Sequence, residues 1–173
     1  MKTLARFVGV SLVLALSMAS AFAAPSVGVQ ARTLTYSCGY YTKQEGQFHV
    51  NFEDRSLPYG TQVFIEFGFA GKNGGADFSD LDSGKFETVQ ARSLGHGLWS
   101  AEIRRDIADR SSPMRRASLQ FVVRAVLDDA SVAYAKGLDK AKGYFVADAP
   151  EGQCVTSDRE VGYETAVVRE VTR

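Results

Sequence analysis

This chain has little of what catalytic and metal chemistry is usually built on. Two histidines and two cysteines occur among 173 residues, and no G-x-S-x-G elbow, H-E-x-x-H pair or close cysteine pair accompanies them. His49 falls on the outward phase of an alternating segment and His96 sits between two glycines, so each reads as a solvated side chain and not as half of an acid–base pair. An excess of charge of one sign is also lacking. Twenty basic groups stand against 20 acidic ones, a balance that gives no electrostatic footprint for nucleic acid or anionic lipid. Beyond residue 23 no apolar run approaches the roughly 18 residues of a membrane-spanning helix.

The first 23 residues are different. Lys2 and Arg6 make a short basic start, Phe7 to Met18 an apolar run, and Ala21-Phe22-Ala23 a small-x-small cleavage site, the layout of a secretory signal peptide. The sequence therefore predicts a secreted or periplasmic product. Cleavage after Ala23 leaves 150 residues, enough for one domain with a real core. It also removes Lys2 and Arg6, leaving 18 basic and 20 acidic groups and a formal charge of −2. Cys38 and Cys154, near the two ends of this mature chain, are expected to form one disulfide in an oxidising compartment. It would close a loop of more than 100 residues, for which chain entropy gives roughly 4–5 kcal/mol. Two free buried thiols, or a bridge between molecules, are the alternatives.

Hydrophobic alternation with a period of two predicts an all-β fold from residue 32 onward. Expected strands carry Leu34, Tyr36 and Cys38; Phe48, Val50 and Phe52; Val63, Ile65, Phe67 and Phe69; Trp99, Ala101 and Ile103; and Leu119 through Leu127. A weaker strand runs from Phe86 to Ser93, and Tyr144-Phe145-Val146 makes the last. Pro58-Tyr59-Gly60 and Gly95-His96-Gly97 supply turns, Gly71 to Lys85 a long loop, and Asp106 to Arg116 another loop. Strands at this spacing suggest a two-sheet antiparallel sandwich. The expected organisation is a leader over 1–23, a linker over 24–31, the sandwich over 32–150, and a tail over 151–173 that Cys154 ties down and that is otherwise loose.

Three groups of residues carry possible binding chemistry. Asp77, Asp80 and Asp82 lie on a glycine-bearing loop, where oxygen ligands suit calcium; a solvated acidic loop is the plainer reading, and no other cofactor is implied. Trp99 alternates with Ala101 and Ile103, which places it in the core and not on a sugar-stacking surface. Phe78, Tyr134, Tyr59 and Tyr41 are nearer loops and turns, where an aromatic face can meet a pyranose ring.

From Val63 to Val146 the layout resembles the immunoglobulin-like starch-binding carbohydrate-binding modules: a V-x-I-x-F strand, a Gly/Asp loop with an aromatic, then G-x-G-L-W-S-A-E-I, L-Q-F-V-V-R-A-V and an Asp-Asp turn. The resemblance covers about half the chain and implies an immunoglobulin-like sandwich. It also implies Phe78 and Tyr134 as the residues gripping a glucan, with Trp99 structural. The chain departs from the family at Tyr134-Ala135-Lys136-Gly137-Leu138-Asp139-Lys140, where the family places a polar ligand-binding cluster. The resulting expectation is a non-catalytic binding domain for a polysaccharide or cell-envelope partner. A structural or protein–protein interaction sandwich is the alternative, and a hydrolase ranks third.

Overall fold

The period-two alternation becomes two packed β-sheets in the computed structural model of the chain. Residues 24–36, 43–73, 76–79, 86–106, 118–155 and 161–173 are described, with backbone alone at 43, 70–73, 76–79 and 153–155. The expected leader over 1–23, Cys38, Tyr41, Asp80 and Asp82 lie outside them.

The strands are β1 (Ser26–Tyr36), β2 (Lys43–Glu53), β3 (Gln62–Asn73), β4 (Ala76–Ser79), β5 (Glu87–Gln90), β6 (Arg92–Gly95) and β7 (Leu98–Asp106), then β8 (Ser118–Val126), β9 (Val132–Tyr134), β10 (Gly143–Asp148), β11 (Gln153–Val155), β12 (Glu164–Ala166) and β13 (Val168–Thr172). The first sheet runs β11-β1-β2-β7-β6, with β12 also on β1. The second runs β13-β10-β8-β3-β4, with β5 also on β3 and β9 also on β8. Every pairing is antiparallel except β1 with β11.

The alternating residues meet between the sheets. Phe48, Val50 and Phe52 of β2 and Trp99, Ala101 and Ile103 of β7 face Val63, Ile65, Phe67 and Phe69 of β3 and Leu119, Phe121 and Val123 of β8, all buried in one cluster. Phe48 reaches across to Phe69, with ring centroids 6.0 Å apart. Trp99 stacks on Phe52 at 5.7 Å, in the core as its phase predicts. Each of these large side chains contributes about 1.5–3 kcal/mol through burial.

Four sequence expectations change. The segment 24–31 is no linker: β1 begins at Ser26 and pairs with β2 along its full length. Val29 and Ala31 belong to the central cluster, whereas Leu34 packs with Val161 and Tyr36 in a separate one. Small residues made the inward phase of this strand quiet, and the louder phase of Leu34 and Tyr36 belongs to the opposite face. The segment starting at Gly71 is not loop at its beginning, because β3 continues to Asn73 and pairs with β4.

The segment from Phe86 to Ser93 is two strands. β5 hydrogen-bonds to β3 of the second sheet, and after Ala91, whose amide donates to the Val63 carbonyl at 2.8 Å, β6 pairs with β7 of the first. The tail beyond Cys154 is not loose. β12 pairs with β1, and after one residue, Val167, β13 pairs with β10 of the other sheet. Each side of the sandwich is thus closed by a segment that changes sheets, which covers edges that would otherwise template association.

Candidate functional site

Three turns gather at one end of the sandwich. The residues linking β2 to β3 contain Pro58-Tyr59-Gly60, the β6–β7 hairpin turns at His96, and Asp128 lies in the turn between β8 and β9. Asp54 fixes the start of the first turn: its amide donates to the Gly97 carbonyl at 2.8 Å, and its carboxylate accepts from the Ser56 amide at 2.9 Å and from the Ser56 hydroxyl. Thr61 closes the other side, donating from its hydroxyl to the Pro58 carbonyl at 2.8 Å.

Gly60, at φ +95°, lets the chain pass the Asp128 carboxylate; a Cβ there would lie 2.7 Å from Oδ1. Gly97, at φ +75°, lets the hairpin touch the first turn, since its Cβ would lie 2.7 Å from the Asp54 carbonyl oxygen. The turns are therefore held against one another by backbone contacts and short side chains.

Between the first turn and the hairpin lies an open cleft of about 910 Å³, within the size range of small-ligand sites. Leu57, Pro58 and the largely buried Trp99 give it an apolar lining, and Ser93 and His96 contribute polar groups. Tyr59 stands beside it fully exposed, at 102%. Its two ring faces are open to a ligand while Pro58 and Gly60 fix the backbone on either side. The arrangement suits a flat apolar face with hydroxyls at its rim, the amphipathic character of a sugar ring.

The residues singled out from sequence are dispersed. Phe78 pairs through its backbone with Gly71 of β3, whereas Tyr134 pairs with Arg124, itself opposite Phe64. Seven residues of β3 separate the two positions, about 23 Å along the strand, so the fold does not bring Phe78 and Tyr134 to one sugar. Asp77 is in β4 opposite Lys72, and Asp80 and Asp82 lie outside the described residues. Among the described residues no three His, Cys, Asp or Glu side chains cluster as metal ligands, and no helix is long and apolar enough to cross a membrane.

His96 is exposed at the hairpin tip with φ 53°. His49 is outward-facing as its phase predicts, but it is half-buried, edge-on to the Tyr163 ring at 4.3 Å.

Sequence reasoning missed the polar network around Tyr163. On the outer face of the first sheet, Gln47 Oε1 accepts from Arg32 Nε at 2.8 Å and from the Tyr163 hydroxyl at 3.0 Å. Arg32 also donates to the Val161 carbonyl at 2.8 Å and lies 4.4 Å from the Tyr163 ring centroid. Burial, partly opposed by the Arg32 charge, holds the Tyr163 phenol above its ordinary pKa. Isolated polar residues 116 positions apart carry no local signal of such a network.

No family model matches the chain, and neither does any of the curated proteins or solved structures compared with it. The functional reading therefore rests on the geometry.

Proposed function

We propose that this is an exported, non-catalytic binding domain of immunoglobulin-like type that engages a carbohydrate of the cell envelope or surroundings through the cleft beside Tyr59. The observation that carries the reading is the fully exposed Tyr59 ring on a turn fixed by Asp54, Thr61 and the Gly60–Asp128 contact, beside an apolar cleft. The order Lys2, Arg6, an apolar run and Ala21-Phe22-Ala23 supports export. One stacked ring contributes on the order of a kcal/mol, so affinity is expected to be weak.

The Cys38–Cys154 disulfide belongs to the same reading. Cys154 is the register partner of Thr35 in β1. Cys38 follows Thr35 by three residues in the sequence and lies outside the described residues.

The test is retention on insoluble glucans and other envelope polysaccharides, comparing the parent with Tyr59→Ala, which removes only a solvent-facing side chain. Retention of the parent and its loss in an equally stable Tyr59→Ala is the expected result; equal retention of both, or of neither, counts against the cleft. A second reading, a protein-interaction sandwich, is favoured by Leu94, 52% exposed on the four-residue edge strand β6 beside the same cleft. Leu94→Asp would then abolish partner capture while leaving polysaccharide retention unchanged.

A further inference from the structure

The outer face of the second sheet carries a group of residues that core packing does not explain. Glu66 of β3, 8% exposed, holds two cations: Arg124 Nε lies 2.7 Å from one carboxylate oxygen and Lys140 Nζ 2.8 Å from the other. Each cation rests against an aromatic ring, Arg124 at 4.9 Å from the Phe64 centroid and Lys140 at 3.3 Å from that of Phe86. One buried carboxylate and two cations leave the cluster one positive charge in excess. Neighbouring acidic groups do not cancel it, because Glu87 faces Arg105 at 3.9 Å and Glu170 is paired with Lys136.

Glu66 engages Arg124 through Nε, and no described residue other than Glu66 engages the two terminal guanidinium nitrogens. These nitrogens form the fork that reads a carboxylate with two parallel hydrogen bonds. Because Glu66 and Phe64 already hold the side chain, little rotamer freedom remains to be lost on binding. Tyr134 is the register partner of Arg124 and shares its face, and its hydroxyl has no partner among the described residues. Tyr134 and Arg124 are thus backbone neighbours on adjacent strands, about 4.8 Å apart, with the guanidinium held on the β3 side by Glu66 and Phe64.

From this juxtaposition we infer that the outer face of the second sheet is a binding site for an acidic polysaccharide. A ring carboxylate pairs with Arg124, Lys140 adds positive charge, and an adjoining sugar stacks on Tyr134. Glu66 is a positioning residue that touches no ligand. The site shares no residue with the Tyr59 cleft, and the inference stands whether or not the cleft binds sugar.

The experiment measures retention of the intact mature protein on immobilised polygalacturonate and on a neutral amylose matrix, at low salt and at about 0.15 M salt, where the Debye length is about 8 Å. Preferential retention on polygalacturonate is expected, with about tenfold weaker binding in Arg124→Gln, a loss of the size of one charge-assisted pair. Arg124→Lys keeps the Glu66 ion pair and so guards against a folding artefact; it is expected to lose affinity as well, because it lacks the fork. Tyr134→Ala is expected to weaken binding and Tyr59→Ala to leave it unchanged. Equal retention on both matrices would overturn the inference. So would parental affinity in both Arg124 variants, or an equal loss in Lys142→Gln, whose side chain is 72% exposed and pairs with Asp139.

Discussion

At the scale of single residues, the candidate cleft depends on how closely backbone can approach backbone. A Cβ at Gly97 would meet the Asp54 carbonyl oxygen at 2.7 Å and the Arg55 Cα at 2.8 Å, from a left-handed backbone. Gly97→Ala is therefore expected to destabilise the fold by about 1–3 kcal/mol. Gly28, in β1, has open space around its Cβ position, and Gly28→Ala is expected to be neutral or to stabilise by up to about 1 kcal/mol. Urea unfolding of the two variants checks the contrast.

Tyr163 gives a pH dependence of known sign. Its phenol is raised above 10.0, chiefly by burial, so the native state retains the proton more strongly than the unfolded chain. That stabilisation is complete below the ordinary value of 10.0 and is lost as pH rises through the higher folded value. The parent is expected to lose stability from about pH 10 upward relative to Tyr163→Phe. That variant starts lower, having lost the hydrogen bond to Gln47, and lacks this titration. Parallel alkaline profiles for the two proteins would contradict the assignment.

At the scale of elements, the C-terminal strands do more than the sequence suggests. β13 covers the edge of β10 from Gly143 to Ala147, and Val168 packs against the central cluster. Ending the chain after Val167 is expected to strip hydrogen-exchange protection from β10 and lower the unfolding midpoint. Arg169→Ala, which removes only the exposed pair with Asp148 at 2.6 Å, is expected to cost less than about 1 kcal/mol.

Which strands could be read from the sequence follows from the same physics. β2, β3, β7 and β8 alternate large apolar and polar residues over long stretches, and each appears with the expected face inward. β1 was half-legible because Val27, Val29 and Ala31 are small and its opposite face is covered by Val161. β12 and β13 were hidden because they lie on edges, where most side chains face water and burial leaves no pattern. Their content of Thr165, Val168, Val171 and Thr172 was the available signal. At the site, the Pro58-Tyr59-Gly60 turn could be read locally. Its apposition to the hairpin at His96 and to Asp128 arises from pairings between distant strands and left no trace in sequence spacing.

On the scale of the whole molecule, early and late strands meet: β1 lies beside β11 and β12, so the first described strand is held by two of the last three. A Cys38–Cys154 bond would fasten that seam. Intact mass before and after reduction and alkylation is expected to show one bond and no alkylation without reductant. The linked variants Cys38→Ser and Cys154→Ser should lose similar stability, up to roughly 4–5 kcal/mol, because they remove the same bond. Two thiols that alkylate freely would remove the disulfide from the account and leave the two sheets unaffected.

The turns at one end of the sandwich form a concave, ligand-sized surface with Tyr59 beside it. The most direct measurement is an amide and side-chain NMR titration of the mature protein with soluble oligosaccharides, maltohexaose, cellohexaose and peptidoglycan fragments among them. The account predicts that at least one of them produces saturable shifts concentrated at 55–61 and 93–97, and that Tyr59→Ala abolishes them while the remaining spectrum is preserved. Saturable shifts that avoid both turns, or shifts at the turns that survive in Tyr59→Ala, would contradict it.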